Sequence, residues 1–100
     1  RTPKIFIPNS FSPNGDGEND VFMIFADTKN IEIVKTFKVF DRWGELVHEY
    51  YNFMPNDPVH GWNGTLKSIQ LNPGVFVYHA EVEMSDGRIE SFKGDVLLNR

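Results

Sequence analysis

The chain contains no cysteine. Disulfides, thiolate zinc sites and cysteine nucleophiles are excluded together. Positive charge is also scarce: ten Lys and Arg face 14 Asp and Glu, a formal net charge of −4. Phosphate backbones and anionic lipid surfaces are bound through positive surface, so this balance argues against nucleic-acid and membrane-surface partners. No apolar run approaches the ~20 residues of a membrane-spanning helix. Nothing near Arg1 has the apolar stretch of a secretory leader. Because the sequence starts at Arg1 rather than Met, residues 1–100 are expected to be a fragment of a longer protein, with any leader upstream. Catalytic signatures are missing too. There is no Gly-x-Ser-x-Gly elbow and no glycine-rich phosphate loop ending in Lys-Ser/Thr. His48, His60 and His79 show no metal-ligand spacing, and His79, Glu81 and Glu83 read as a solvated strand face. The expectation is a domain that is not an enzyme.

What is present is material for one core. One hundred residues suit a single domain, and 40% are apolar, with nine Phe, three Tyr and two Trp. Strand signals recur between turn signals, and helical periodicity is weak throughout. Ile5-Phe6-Ile7 is a short run stopped by Pro8, and Val21–Phe25 is apolar throughout, as in a buried strand. In residues 31–40, Ile31, Ile33, Phe37 and Val39 share one parity. Asp41-Arg42-Trp43-Gly44 turns the chain into a return strand over Glu45–Tyr51, followed by a loop over 52–64. Leu66–Leu71 is compatible with a single helical turn. Val75–Met84 alternates, with Phe76, Tyr78, Ala80, Val82 and Met84 assigned to the core. Ser85-Asp86-Gly87-Arg88 predicts a type I′ hairpin turn. Ile89–Lys93 returns, and Val96-Leu97-Leu98 forms the last strand. Roughly seven short strands predict an all-β fold, an antiparallel β-sandwich, with a small barrel as the alternative.

One segment concentrates oxygen ligands: Asn14, Asp16, Glu18 and Asp20 alternate with Gly15, Gly17 and Asn19. Glycines let the backbone curl so that side-chain oxygens converge, as a hard cation such as Ca²⁺ requires. Aligned as an EF-hand loop, the segment has Gly17 at the sharp turn but Ser12 at the first position and Met23 at the last, so it is not an EF-hand. It reads either as a looser Ca²⁺ loop completed from elsewhere or as plain Asn-Gly and Asp-Gly turns with solvated carboxylates. Trp43, Tyr50, Tyr51, Phe53 and Trp62 cluster around the hairpin and the loop after it. They read either as a sugar-stacking surface or as rings plugging the ends of a small sandwich. Asn63-Gly64-Thr65 matches the N-glycosylation pattern by letter alone.

Five blocks, in order, resemble a known family: Phe11-Ser12-Pro13-Asn14-Gly15-Asp16-Gly17-Glu18-Asn19-Asp20; Phe40-Asp41-Arg42-Trp43-Gly44-Glu45-Leu46-Val47; Trp62-Asn63-Gly64; Pro73-Gly74-Val75-Phe76-Val77-Tyr78; and Asp86-Gly87 with Gly94-Asp95-Val96-Leu97-Leu98. They look like the gliding-motility-associated C-terminal domain, the type B sorting domain of the Bacteroidota type IX secretion system. The resemblance covers about residues 5–98. It implies an immunoglobulin-like β-sandwich that serves as a secretion signal. It also implies export of a large passenger to the cell surface or medium, and work with a PorP/SprF-type outer-membrane protein. The family commonly has Trp-Asp-Gly where this chain has Trp62-Asn63-Gly64, an amide in place of a carboxylate. The resemblance carries no catalytic residue. Asn14, Asp16, Glu18 and Asp20 remain the candidate metal ligands. Val96, Leu97 and Leu98 are the candidate surface for the secretion machinery, because an exposed terminal strand can accept a partner strand. The alternative reading is a calcium-stabilised adhesion or carbohydrate-binding module.

Overall fold

The computed structural model describes residues 5–15 and 20–100. Among these described residues nine strands are formed: β1 (Ile5–Phe6), β2 (Ser10–Phe11), β3 (Phe25–Ala26), β4 (Ile31–Phe40), β5 (Leu46–Phe53), β6 (Thr65–Leu66), β7 (Ile69–Gln70), β8 (Gly74–Met84) and β9 (Ile89–Leu98). The four long strands build one sheet with β2 at its margin, in the order β2-β9-β8-β4-β5. Its long neighbours are antiparallel, while β2 runs parallel to β9. Two-stranded sheets β1-β3 and β6-β7, with the loops between them, supply the facing layer of a β-sandwich.

Alternation in β8 places Phe76, Ala80, Val82 and Met84 in the core and half-buries Tyr78. In β4 the expected parity is broken. Val34 is fully buried with Ile31, Phe37 and Val39, while Ile33 is only half-buried. Register shifts between Ile31 and Ile33 and between Val34 and Thr36 explain this, since each inserted residue flips the facing of the next. The facing layer contributes Phe11, Phe22, Ile24 and Trp62. Phe22 packs on Phe37 at 5.5 Å between centroids and edge-on to Tyr78 at 5.5 Å, and Trp62 packs edge-on to Phe76 at 4.9 Å. Each such ring stabilises the fold by about 1.5–3 kcal/mol through burial alone.

Three further segments differ from expectation. Val21–Phe25 is not one strand: Phe22 forms an isolated bridge with Trp62, and only Phe25 joins a ladder. Asn56 carries the pairing onward. Its N–H donates to the Ile24 carbonyl, and its side-chain amide exchanges hydrogen bonds with the backbone of Ala26. Leu66–Leu71 is not a helical turn but the β6-β7 hairpin, closed by Lys67 and Ser68 at φ 53° and 68°. Two successive left-handed residues make a type I′ turn. Ser85-Asp86-Gly87 is not type I′, because of its residues only Gly87 has positive φ. Gly87 N–H donates to the Met84 carbonyl and Met84 N–H to the Arg88 carbonyl, a three-residue loop ending in a left-handed glycine. The β4-β5 connection repeats that design. Gly44, at φ 87°, donates to the Asp41 carbonyl, and Asp41 N–H donates to the Glu45 carbonyl.

Candidate functional site

The hairpin design explains the most exposed large hydrophobic side chain among the described residues. In the Arg42-Trp43-Gly44 loop, Asp41 Oδ1 accepts the N–H groups of Trp43 and Glu45, both at 2.9 Å. The carboxylate fixes the backbone and leaves the Trp43 side chain projecting, 82% exposed. The other tryptophan is its opposite: Trp62 is buried and donates its indole N–H to the Thr65 carbonyl at 2.8 Å. Of the two, only Trp62 therefore plugs the sandwich.

Beside Trp43 lies a cleft of about 390 Å³. Val47 and Phe76, both buried, form its floor. Leu66, Leu71, Pro73 and Val75 complete an apolar lining, and Asp41, Arg42 and Glu45 bring charge to it. The Arg42 guanidinium stacks over the Trp43 ring at 5.3 Å. The other aromatics expected to join Trp43 lie elsewhere. Phe53 is buried, Tyr51 donates its hydroxyl to Glu49 Oε1, and Tyr50 packs edge-on to His60 at 4.7 Å. The hydrogen bond to Glu49 is the main cause holding the Tyr51 hydroxyl pKa above the usual tyrosine value. Sequence reasoning singled out Trp43 and missed Arg42. The available signal was a cation and an aromatic side by side at a hairpin tip.

Of the oxygen-ligand segment, Asp16 and Glu18 lie outside the described residues. Asp20 Oδ1 accepts the N–H groups of Asn14 at 3.1 Å and Gly15 at 3.0 Å, so one of its oxygens caps the Asn14–Gly15 turn. Among the described residues no group of three or more His, Cys, Asp or Glu converges.

Val96, Leu97 and Leu98 are not an exposed terminal edge. Val96 and Leu98 are fully buried, and only Leu97 shows its side chain. Both strand edges are occupied there. Phe76, Val75 and Gly74 pair on one side, and Ser10 and Phe11 pair with Leu97 and Leu98 on the other. Leu97 N–H donates to the Asn9 carbonyl and Asn99 N–H to the Phe11 carbonyl. Strand addition at these residues is closed off. The regular β8-β9 register puts the main-chain groups of Ser91, Lys93 and Asp95 on the same side as those of Leu97, beyond the reach of two-residue β2. Among the described residues, the unpaired part of this edge is therefore earlier in β9 than expected.

In β5, at the opposite edge of the sheet, His48 packs edge-on to Phe37 at 5.6 Å. Burial depresses its imidazole pKa, partly countered by a hydrogen bond with the His60 backbone and by the Glu49 charge. Its Nε2 is buried with no hydrogen-bond partner among the described residues.

Comparison with known proteins gives a family. The model described as CHU_C Type IX secretion signal domain matches residues 5–98. Among solved structures, CopC from Methylosinus trichosporium OB3b is similar, with a TM-score of 0.60 at 17% identity over 98% of this chain and 94% of that one. At that identity the likeness is one of fold. No curated protein matches the sequence.

Proposed function

The chain belongs to the type IX secretion signal domains, and from that membership we propose that it directs a large passenger across the outer membrane to the cell surface or medium. The family match over residues 5–98 is the observation that carries this reading. The domain acts as a folded recognition module without catalysis. Its receptor is an outer-membrane protein of the PorP/SprF kind. A rigid sandwich suits this role, because it presents fixed surface features to a receptor without ordering a flexible segment on binding. A reporter placed ahead of residues 1–100 behind a signal peptide, in hosts with and without the PorP/SprF-type protein, tests the reading. Reporter outside the cell only when that protein is present is the expected result. Equal export in its absence removes the receptor assignment.

A further inference from the structure

We infer that the cleft beside Trp43 receives a short peptide segment of the receptor, one carrying an apolar side chain next to a single carboxylate. The inference rests on the sorting reading above and names the part of the domain that is read.

Trp43 is 82% exposed at the tip of a loop whose backbone is already fixed by Asp41. Its ring contributes to no core cluster and contacts the Arg42 guanidinium instead. Leaving this indole in water forgoes the burial that Trp62 obtains. Exposed Trp and Arg side chains are the pair most often found anchoring protein interfaces.

Arg42 supplies the polar half of the recognition. Among the described residues no carboxylate lies within ion-pair distance of its guanidinium. Stacking on the indole holds the fork in a defined orientation, ready for a bidentate carboxylate. The cleft floor of Val47 and Phe76, walled by Leu66 and Leu71, supplies the apolar half. Its volume, about 390 Å³, accommodates a few side chains rather than a whole fold. Asp41 and Glu45 stand at the same cleft. Asp41 Oδ1 is engaged by two N–H groups, and the Glu45 charge disfavours an acidic run, so the matching segment carries one carboxylate.

A sugar fits less well. The guanidinium lies over the indole ring that a pyranose would stack on. Val47, Leu66, Leu71, Pro73 and Val75 in the lining offer no partners for hydroxyl groups, which leaves Asp41, Arg42, Glu45 and Asn72 to pair with them, and desolvated hydroxyls without partners are costly.

The test combines export and crosslinking in a host with a working type IX system, using the reporter fused to residues 1–100. Trp43→Ala and Arg42→Ala are expected to lower export at least tenfold, with thermal midpoints matching the parent because both side chains are exposed. Arg42→Lys is expected to restore export only in part, since an ammonium lacks the fork. Should Trp43→Ala alter folding, the Arg42 pair carries the test. A photo-crosslinking amino acid at position 43 is expected to capture a type IX outer-membrane protein. The same group at Val59, which is 72% exposed and outside the cleft, is expected to capture none. Parent-level export of folded Trp43→Ala and Arg42→Ala overturns the inference, and so does crosslinking at 43 to polysaccharide alone. Failure of the parent fusion to depend on the type IX system is a different result, and it overturns the sorting reading itself.

Discussion

Phe22 and Trp62 exchange two backbone hydrogen bonds, Phe22 N–H to the Trp62 carbonyl at 2.8 Å and Trp62 N–H to the Phe22 carbonyl at 2.9 Å. This single bridge fastens the segment after the acidic loop to the segment after the Pro58–His60 turn, with both rings buried beneath it. The approach depends on Gly61. A Cβ there would sit 2.2 Å from Val21 Cγ1 and 2.9 Å from the Phe22 carbonyl oxygen. Gly61→Ala is therefore expected to destabilise the domain by about 1–3 kcal/mol through overpacking. Denaturant unfolding checks it, and an unchanged midpoint would show that the two segments separate at little cost.

Arg100 holds the neighbouring hairpin at its base. Nη2 donates to the Gly64 carbonyl and Nε to the Leu71 carbonyl, each at 2.7 Å, while Leu71 N–H donates to the Gly64 carbonyl at 3.0 Å. Because Leu66 and Leu71 line the cleft beside Trp43, this clamp also shapes the cleft wall. Arg100→Ala is expected to cost about 1–2 kcal/mol, the usual range for charged hydrogen bonds lost at a partly exposed site. Amide exchange at Thr65–Gln70 is expected to quicken with it. Unaltered exchange there would mean that the hairpin stands without the clamp.

Val96 and Leu98 are fully buried in the core. Leu98→Ala is expected to destabilise by about 2–5 kcal/mol. Removal of residues 95–100 is expected to unfold the domain, because it strips Val96 and Leu98 from the core and frees β2. Circular dichroism of the truncated chain checks this. A native spectrum would show that the β2-β9 pairing is dispensable. Lost export from such a truncation reports on folding, not on a reading surface.

The environment of His48 ties stability to pH. Burial lowers its folded pKa beneath the ordinary histidine value of about 6.5, so below that value the unfolded chain binds the proton more readily. The sign follows directly: this contribution is fully present above about pH 6.5 and is lost as pH falls toward the depressed folded value. The thermal midpoint is expected to decline from pH 7 to pH 5, and less steeply in His48→Gln. Parallel pH profiles for the two proteins would remove His48 from the account.

The fold was largely legible because strand alternation is set by burial on one face. Phe76, Ala80, Val82 and Met84 are buried as the rule requires, with Tyr78 on the same face half-buried against the core. Where the rule failed, a local feature intervened. The two register shifts in β4 turned Val34 inward, and no residue type at those positions announces a bulge. The β6-β7 turn uses Lys67 and Ser68 where Asn-Gly would have signalled it. The site was harder to see. Trp43 was visible as an aromatic at a turn, but its separation from Trp62 depends on the Asp41 carboxylate fixing the loop. The pairing of Leu97 and Leu98 is not legible in the sequence, because a two-residue strand, Ser10–Phe11, meets them in parallel from far away in the chain.

Export itself is the most direct test of the central claim. A folded reporter behind a signal peptide is joined to residues 1–100 and expressed in matched hosts with an intact or a disabled type IX translocon. The account expects reporter outside the cell in the intact host and in the periplasm of the disabled one. Equal distribution in the two hosts, with the fusion intact and folded, would contradict it.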